Sequence, residues 1–218
     1  MNPPVQEAEA RRNAFVFTAA AALSGSAPSI AISLGGLAGG YLLGPDKSLA
    51  TLPVSFFVMG GAIGAMPAAR LMARIGRRAG FIWGASVGIV GSLVAAYAVL
   101  AGSFLMFTVG LAIAGIAGAF TQQYRFAAAD SGSPAFRAKA ISWVMLGGIA
   151  AAVLGPQSMI LTRHWFDPIP FVGSYLAMAV LFLGGMLVLF RLDGAARAVP
   201  PKVTASATGR QIAEIVRQ

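Results

Sequence analysis

The chain predicts an all-α membrane protein of six transmembrane helices, and three observations carry that prediction. Hydrophobic residues make up 57% of its 218 positions, charged residues only 11%, and mean hydropathy is +0.77. A soluble domain carries roughly 25% charged residues because its surface must face water, so the solvent here is lipid. The apolar residues also gather into six runs, each long enough for the ~20 helical residues that cross a hydrocarbon core. Finally, those runs are continuous rather than alternating, which argues against a membrane β-barrel.

The elements follow in order. The first run, Ala14 to Leu43, is longer than a straight span needs, and Pro28 among Ser24, Ser26, Ser29 and Ser33 predicts a kink or tilt. Arg11-Arg12 ahead of it imitates an export signal, but the run exceeds a signal's apolar core and ends in no clean small-residue cleavage site, so it reads as a retained first helix. The second run, Leu49 to Met72, carries Gly60-Gly61, Gly64 and Pro67, and the third, Gly80 to Ala101, carries Gly84 and Gly88. Gly102-Ser103 is nearly the whole link to the fourth, Phe104 to Gln123. The fifth runs from Ala138 to Leu161 and the sixth from Ile169 to Phe190. Short links force antiparallel neighbours, hence a compact bundle over residues 14–191. Residues 1–13 form an N-terminal tail, and residues 192–218 a linker in which Ile212, Ile215 and Val216 share one face of a short amphipathic helix suited to the membrane surface.

Charge sets the expected orientation. All but two of the 16 basic residues fall on one side, in the termini and in or beside the loops after the second and fourth runs; the exceptions are Lys47 and Arg163. The bias of basic residues toward cytoplasmic loops places both termini inside an inner, plasma-type membrane. The net charge of +9 is thus a topology signal and no cue to nucleic acid.

Small residues four apart, such as Gly36 and Gly40, Gly60 and Gly64, and Gly84 and Gly88, put glycine on one helix face and let backbones approach closely. Ala14 to Ala101 and Phe104 to Phe190 each give three helices, and in both halves the second helix pairs two glycines with a later proline: Gly60-Gly61 with Pro67, Gly147-Gly148 with Pro156. Two three-helix units in one bundle are inverted relative to each other, a construction that recurs in transporters.

The loop from Ala69 to Gly80 reads Ala-Arg-Leu-Met-Ala-Arg-Ile-Gly-Arg-Arg-Ala-Gly. It resembles the signature loop of the major facilitator superfamily: Leu71, Arg74, Gly76, Arg77 and Arg78 stand on matching positions, while Ala69 and Ala73 replace the family's Gly and Asp. After the fourth run, Arg125, Asp130, Pro134 and Arg137 are similar to the family's link into helix 5, and Gly155-Pro156 is similar to its helix-5 motif. The resemblance implies half of a major facilitator fold, with helices 1 and 4 lining a pathway and a second six-helix half, identical or distinct, as partner. It also implies a gate on the basic side built from the signature loop with Arg125, Asp130 and Arg137.

Chemistry is constrained by what is missing. There is no Cys, and the one His, His164, falls in an outer loop, so nucleophilic, metal and cofactor chemistry have no ligand set and no enzyme is expected. All seven acids lie outside the six runs, which leaves no proton carrier within them. The pathway candidates are the polar residues of the runs: Ser26, Ser29 and Ser33, Gln122, Gln123 and Tyr124, Trp143 and Gln157. An amide in hydrocarbon needs a partner, and a second half would cover Ser29, Gln122 and Gln157. Gly60, Gly64 and Gly155 are expected to bare the backbone of helices 2 and 5 toward that half. Asp130, alone among the basic residues of the inner loops, is expected to accept from Arg74, from Arg125, or from both. Two functions fit: a transporter half that moves a small molecule across the bilayer by alternating access, or a six-helix membrane scaffold that does not transport.

Overall fold

The computed structural model describes residues 3–192; the linker after Leu192, with its expected amphipathic helix, lies outside the described residues. The helices are α1 (Pro3–Ser24), α2 (Ala27–Leu43), α3 (Leu52–Ile75), α4 (Arg77–Leu100), α5 (Phe104–Thr121), α6 (Tyr124–Asp130), α7 (Pro134–Thr162) and α8 (Val172–Leu189). They make six stretches long and apolar enough to cross a membrane: Glu7–Leu43, α3, α4, Phe104–Asp130, α7 and α8.

The first span is broken at Gly25-Ser26, where the sequence predicts a kink. Pro28 has no N–H, so the carbonyl of Ser24 loses its helical donor, and the chain tightens locally with Ser26 N–H bonding Leu23 O at 3.2 Å. The fourth span holds a second break that the sequence does not predict. The helix expected to end at Gln123 pauses at Gln122-Gln123 and resumes as α6. Ala127, Ala128 and Ala129 are buried there, so packing draws residues past the apolar run into the bundle. For the same reason α7 starts at Pro134 rather than Ala138: Pro134 suits a first helical turn, and Phe136 anchors that turn in the core. At the start of the chain α1 begins at Pro3, and Ala10, Asn13 and Ala14 are already buried.

The packing obeys the inverted repeat. α1 lies on α7 as α5 lies on α3, α1 meets α8 as α5 meets α4, and α4 packs on α8 across the pseudo-two-fold axis. Glycines make the matching seams. A Cβ on Gly60 would lie 2.2 Å from Ala112 O, and one on Gly147 would lie 2.3 Å from Thr18 O. These are backbone-to-backbone contacts that only glycine permits. Gly64 meets Ile116 and Gly155 meets Ser29 and the carbonyl of Ser26. Gly60, Gly64 and Gly155 therefore face the inside of this bundle, not a partner half as the spacing suggested. The backbone approach they permit is used within the chain.

Two aromatic clusters form the core at opposite ends. At the end carrying the Arg74–Arg78 loop, here called the basic end, Phe17, Phe81 and Tyr124 meet with ring centroids 5.0–5.9 Å apart. At the far end Phe107 and Tyr175 meet edge to face at 5.1 Å, beside Met178 and Phe182. Several hydroxyls inside the spans bond the preceding turn, as in Ser26 to Ala22 O at 2.7 Å and Ser92 to Gly88 O at 2.7 Å, whereas the buried Ser24 and Tyr175 hydroxyls have no partner among the described residues. In the far-end loop Asp46 accepts from the Ser48 N–H at 3.0 Å, which holds its carboxyl below the usual range.

Candidate functional site: a cavity beside a basic loop

The two helix breaks face one cavity of about 280 Å³. Ser24, Gly25 and Pro28 border it from the first span, Thr121, Gln122 and Arg125 from the fourth, Val144, Met145 and Gly148 from α7, and Phe57 and Phe182 from α3 and α8. Each break turns the chain where a continuous helix would have filled this space. Most of the wall is apolar; the Thr121 hydroxyl bonds Ala117 O at 3.3 Å, while Ser24 Oγ is buried against Gly185 without a hydrogen-bond partner among the described residues.

Of the pathway candidates, Gln122 lines this cavity. Gln123 lines a smaller one of about 130 Å³ beside Ala73, Arg77 and Phe126. Ser26 is fully buried and bonded to its own helix, Ser29 packs on Gly155, and Tyr124 belongs to the basic-end core. Trp143 stacks on Phe15 at 4.6 Å, with Lys139 5.5 Å over its ring. Ser33 and Gln157 sit on surface that the chain leaves uncovered, away from the cavity. Phe57, Met145 and Phe182 went unmarked in the sequence because an apolar residue in an apolar run carries no signal.

The signature loop is a turn that only glycine allows. Gly76 ends α3 and opens α4 at φ 86°, ψ 160°, its N–H bonding Met72 O at 3.0 Å. That turn aims successive arginines apart. Arg78 donates to Phe190 O at 2.7 Å, closing the C-terminus of α8, and stacks over the Phe190 ring at 5.8 Å. Arg77 pairs with Asp130 at the end of α6. The expectation that Asp130 accepts from Arg74 or Arg125 is thereby corrected. Arg74 lies on the last turn of α3 and points away, whereas Arg77, the first residue of α4 beyond the glycine turn, reaches across to the fourth span. Arg125 instead lies over the Phe126 ring at 4.9 Å, and Arg137 is exposed.

Six spans in inverted triplets around a central cavity, with a glycine-turned basic loop tying the second, third and fourth spans together, define one bundle of a two-bundle transporter fold. The chain belongs to the Major Facilitator Superfamily, whose family model matches residues 13–217. It is 45% identical over 208 residues to the riboflavin transporter RfnT of Brucella anthropi, covering 95% of this chain and 52% of that protein. Two uncharacterized MFS-type transporters of Bacillus subtilis are also similar: YddS is 30% identical over 71% of this chain and 38% of its own length, and YdeG 28% over 87% and 44%. The chain spans about half the length of the curated relatives it matches.

Proposed function

We propose that the chain forms the first half of a secondary transporter that moves a riboflavin-like solute by alternating access, its cavity completed by a second six-helix half. The observation that carries this is the uneven cover of the spans. The most apolar windows of α3 and α7 are only 28% and 22% buried, against 50% in each of the other four. These two spans flank the cavity through Phe57 and Met145, so a second bundle docked on them would close the pathway. Transport at a bundle interface near the midplane is how such inverted-repeat proteins work. The apolar wall with Phe57 and Phe182 suits a flat ring system, and the 45% identical relative is a riboflavin transporter.

The test is riboflavin uptake and counterflow in proteoliposomes, with this chain expressed alone and together with a second six-helix half. Flux is expected only with both halves. No flux or exchange in either case would instead support the scaffold. Flux from a strictly monomeric chain would overturn the need for a second half.

Orientation belongs to the same proposal: the basic end faces the cytoplasm of an inner-membrane protein. The chain has no cysteine, so Asp46→Cys and Arg74→Cys give single labelling sites at exposed positions on opposite ends. An impermeant thiol reagent added outside is expected to label position 46 and spare position 74. The reverse pattern would invert the topology.

A further inference from the structure

We infer that Arg125, assisted by Gln122, is the specificity-determining residue of the central cavity, and that it reads an electron-rich, carbonyl-bearing or anionic edge of the transported molecule. The inference rests on the transport proposal above. Arg125 is the only charged residue on the cavity wall among the described residues, and no acid lines it. The acid nearest to it in sequence, Asp130, is taken by Arg77. Arg125 itself makes no ion pair with a described residue, its one contact of note being the face of the Phe126 ring. The Thr121 hydroxyl is bonded to its own helix and Ser24 Oγ is buried against Gly185, so Gln122 and Arg125 are the exposed polar side chains of the wall.

Arg125 is exposed on the cavity wall, so its guanidinium can meet an entering molecule. Its planar fork of N–H donors fits carbonyl or anionic oxygens and repels ammonium groups. Phe57 and Phe182 contribute apolar surface to the same cavity. The wall therefore sorts a ligand into an apolar ring body and an acceptor edge, with the edge at Arg125. The dicarbonyl edge of a flavin ring has this chemistry. The same cation could instead serve an acid on the second half, and the experiment separates the two.

Riboflavin uptake by the two-half transporter is measured with two competitors: lumichrome, which keeps the dicarbonyl edge, and dimethylphenazine, a similar tricycle without it. In Arg125→Met the inhibition constant of lumichrome is expected to rise about tenfold or more while that of dimethylphenazine stays put, because only the first loses a partner. Arg125→Lys, which keeps the charge but not the fork, is expected to fall between. Equal losses for both competitors, or no change in either, would overturn the inference: the first pattern assigns Arg125 to the second half, the second to membrane anchoring. Absence of riboflavin uptake by the wild-type transporter would overturn the transport proposal itself, and this inference with it.

Discussion

Gly115→Ala is expected to destabilise the bundle more than any other single methyl group named here. A Cβ at position 115 would lie 2.0 Å from the carbonyl oxygen of Phe57 and 2.8 Å from its carbon, so α5 and α3 must separate for it to fit. Backbone cannot rotate out of the way as a side chain can. The overpacking costs ~1–3 kcal/mol or more, against a helix-propensity gain of about 1 kcal/mol for replacing glycine. Gly118→Ala, one turn further along the same helix, meets nothing within 4 Å and keeps the propensity gain without the clash. Thermal unfolding in detergent, followed by the monodisperse fraction on size exclusion, should show a fall for Gly115→Ala and no fall for Gly118→Ala. Matching behaviour of the two would mean that the α3–α5 seam is not as tight as described.

Asp130→Asn should come next in effect. The Arg77 side chain is only 20% exposed, and loss of the carboxylate leaves its charge without that partner. Asp130 is itself 51% exposed, so solvent screening keeps the loss on the order of 1–2 kcal/mol. Asp167→Asn is the control, since its pair with His164 at 3.3 Å is 60% and 62% exposed and worth little. The reversed pair, Arg77→Asp with Asp130→Arg, should regain part of the stability that either change alone removes, whereas pairing Asp130→Arg with Arg74→Asp should not. Rescue through Arg74 would restore the partner that the sequence suggested. Because Arg77–Asp130 ties the turn between the second and third spans to the end of the fourth, in the proposed two-half transporter these variants should also change transport rate more than substrate affinity.

The spans were legible because a membrane asks a simple question of sequence: whether a run is apolar enough and long enough. The kink in the first span was legible too, since Pro28 removes a donor whatever surrounds it. The pause at Gln122-Gln123 was not. Nothing in those residues forbids a helix, and Ala127 to Ala129 read as a loop until α1 and α7 bury them. The glycine pairs were read correctly as close-packing faces but assigned to the wrong neighbour, because spacing says that a helix has a smooth side and not which helix lies against it. Gln122, marked by its cost in hydrocarbon, lines the cavity; Gln157, chosen on the same ground, and Ser33, chosen as a polar residue of the first run, lie outside it.

Composition, run length, charge distribution and the Arg74-Ile75-Gly76-Arg77-Arg78 loop were enough to establish the membrane class, the number of spans, the inverted repeat and the family. Each depends on local chemistry: transfer of a residue into lipid, or the backbone freedom of one glycine. Which arginine meets Asp130, which glycine meets which carbonyl, and which side chains surround the cavity depend on helix rotation and tilt, and these follow from all the packing contacts at once. A rotation of one residue is 100° on a helix of 3.6 residues per turn, enough to carry a side chain from cavity to lipid. The pairing of Asp130 with Arg77, and the place of Arg125 on the cavity wall, were therefore settled only when the helices were packed together.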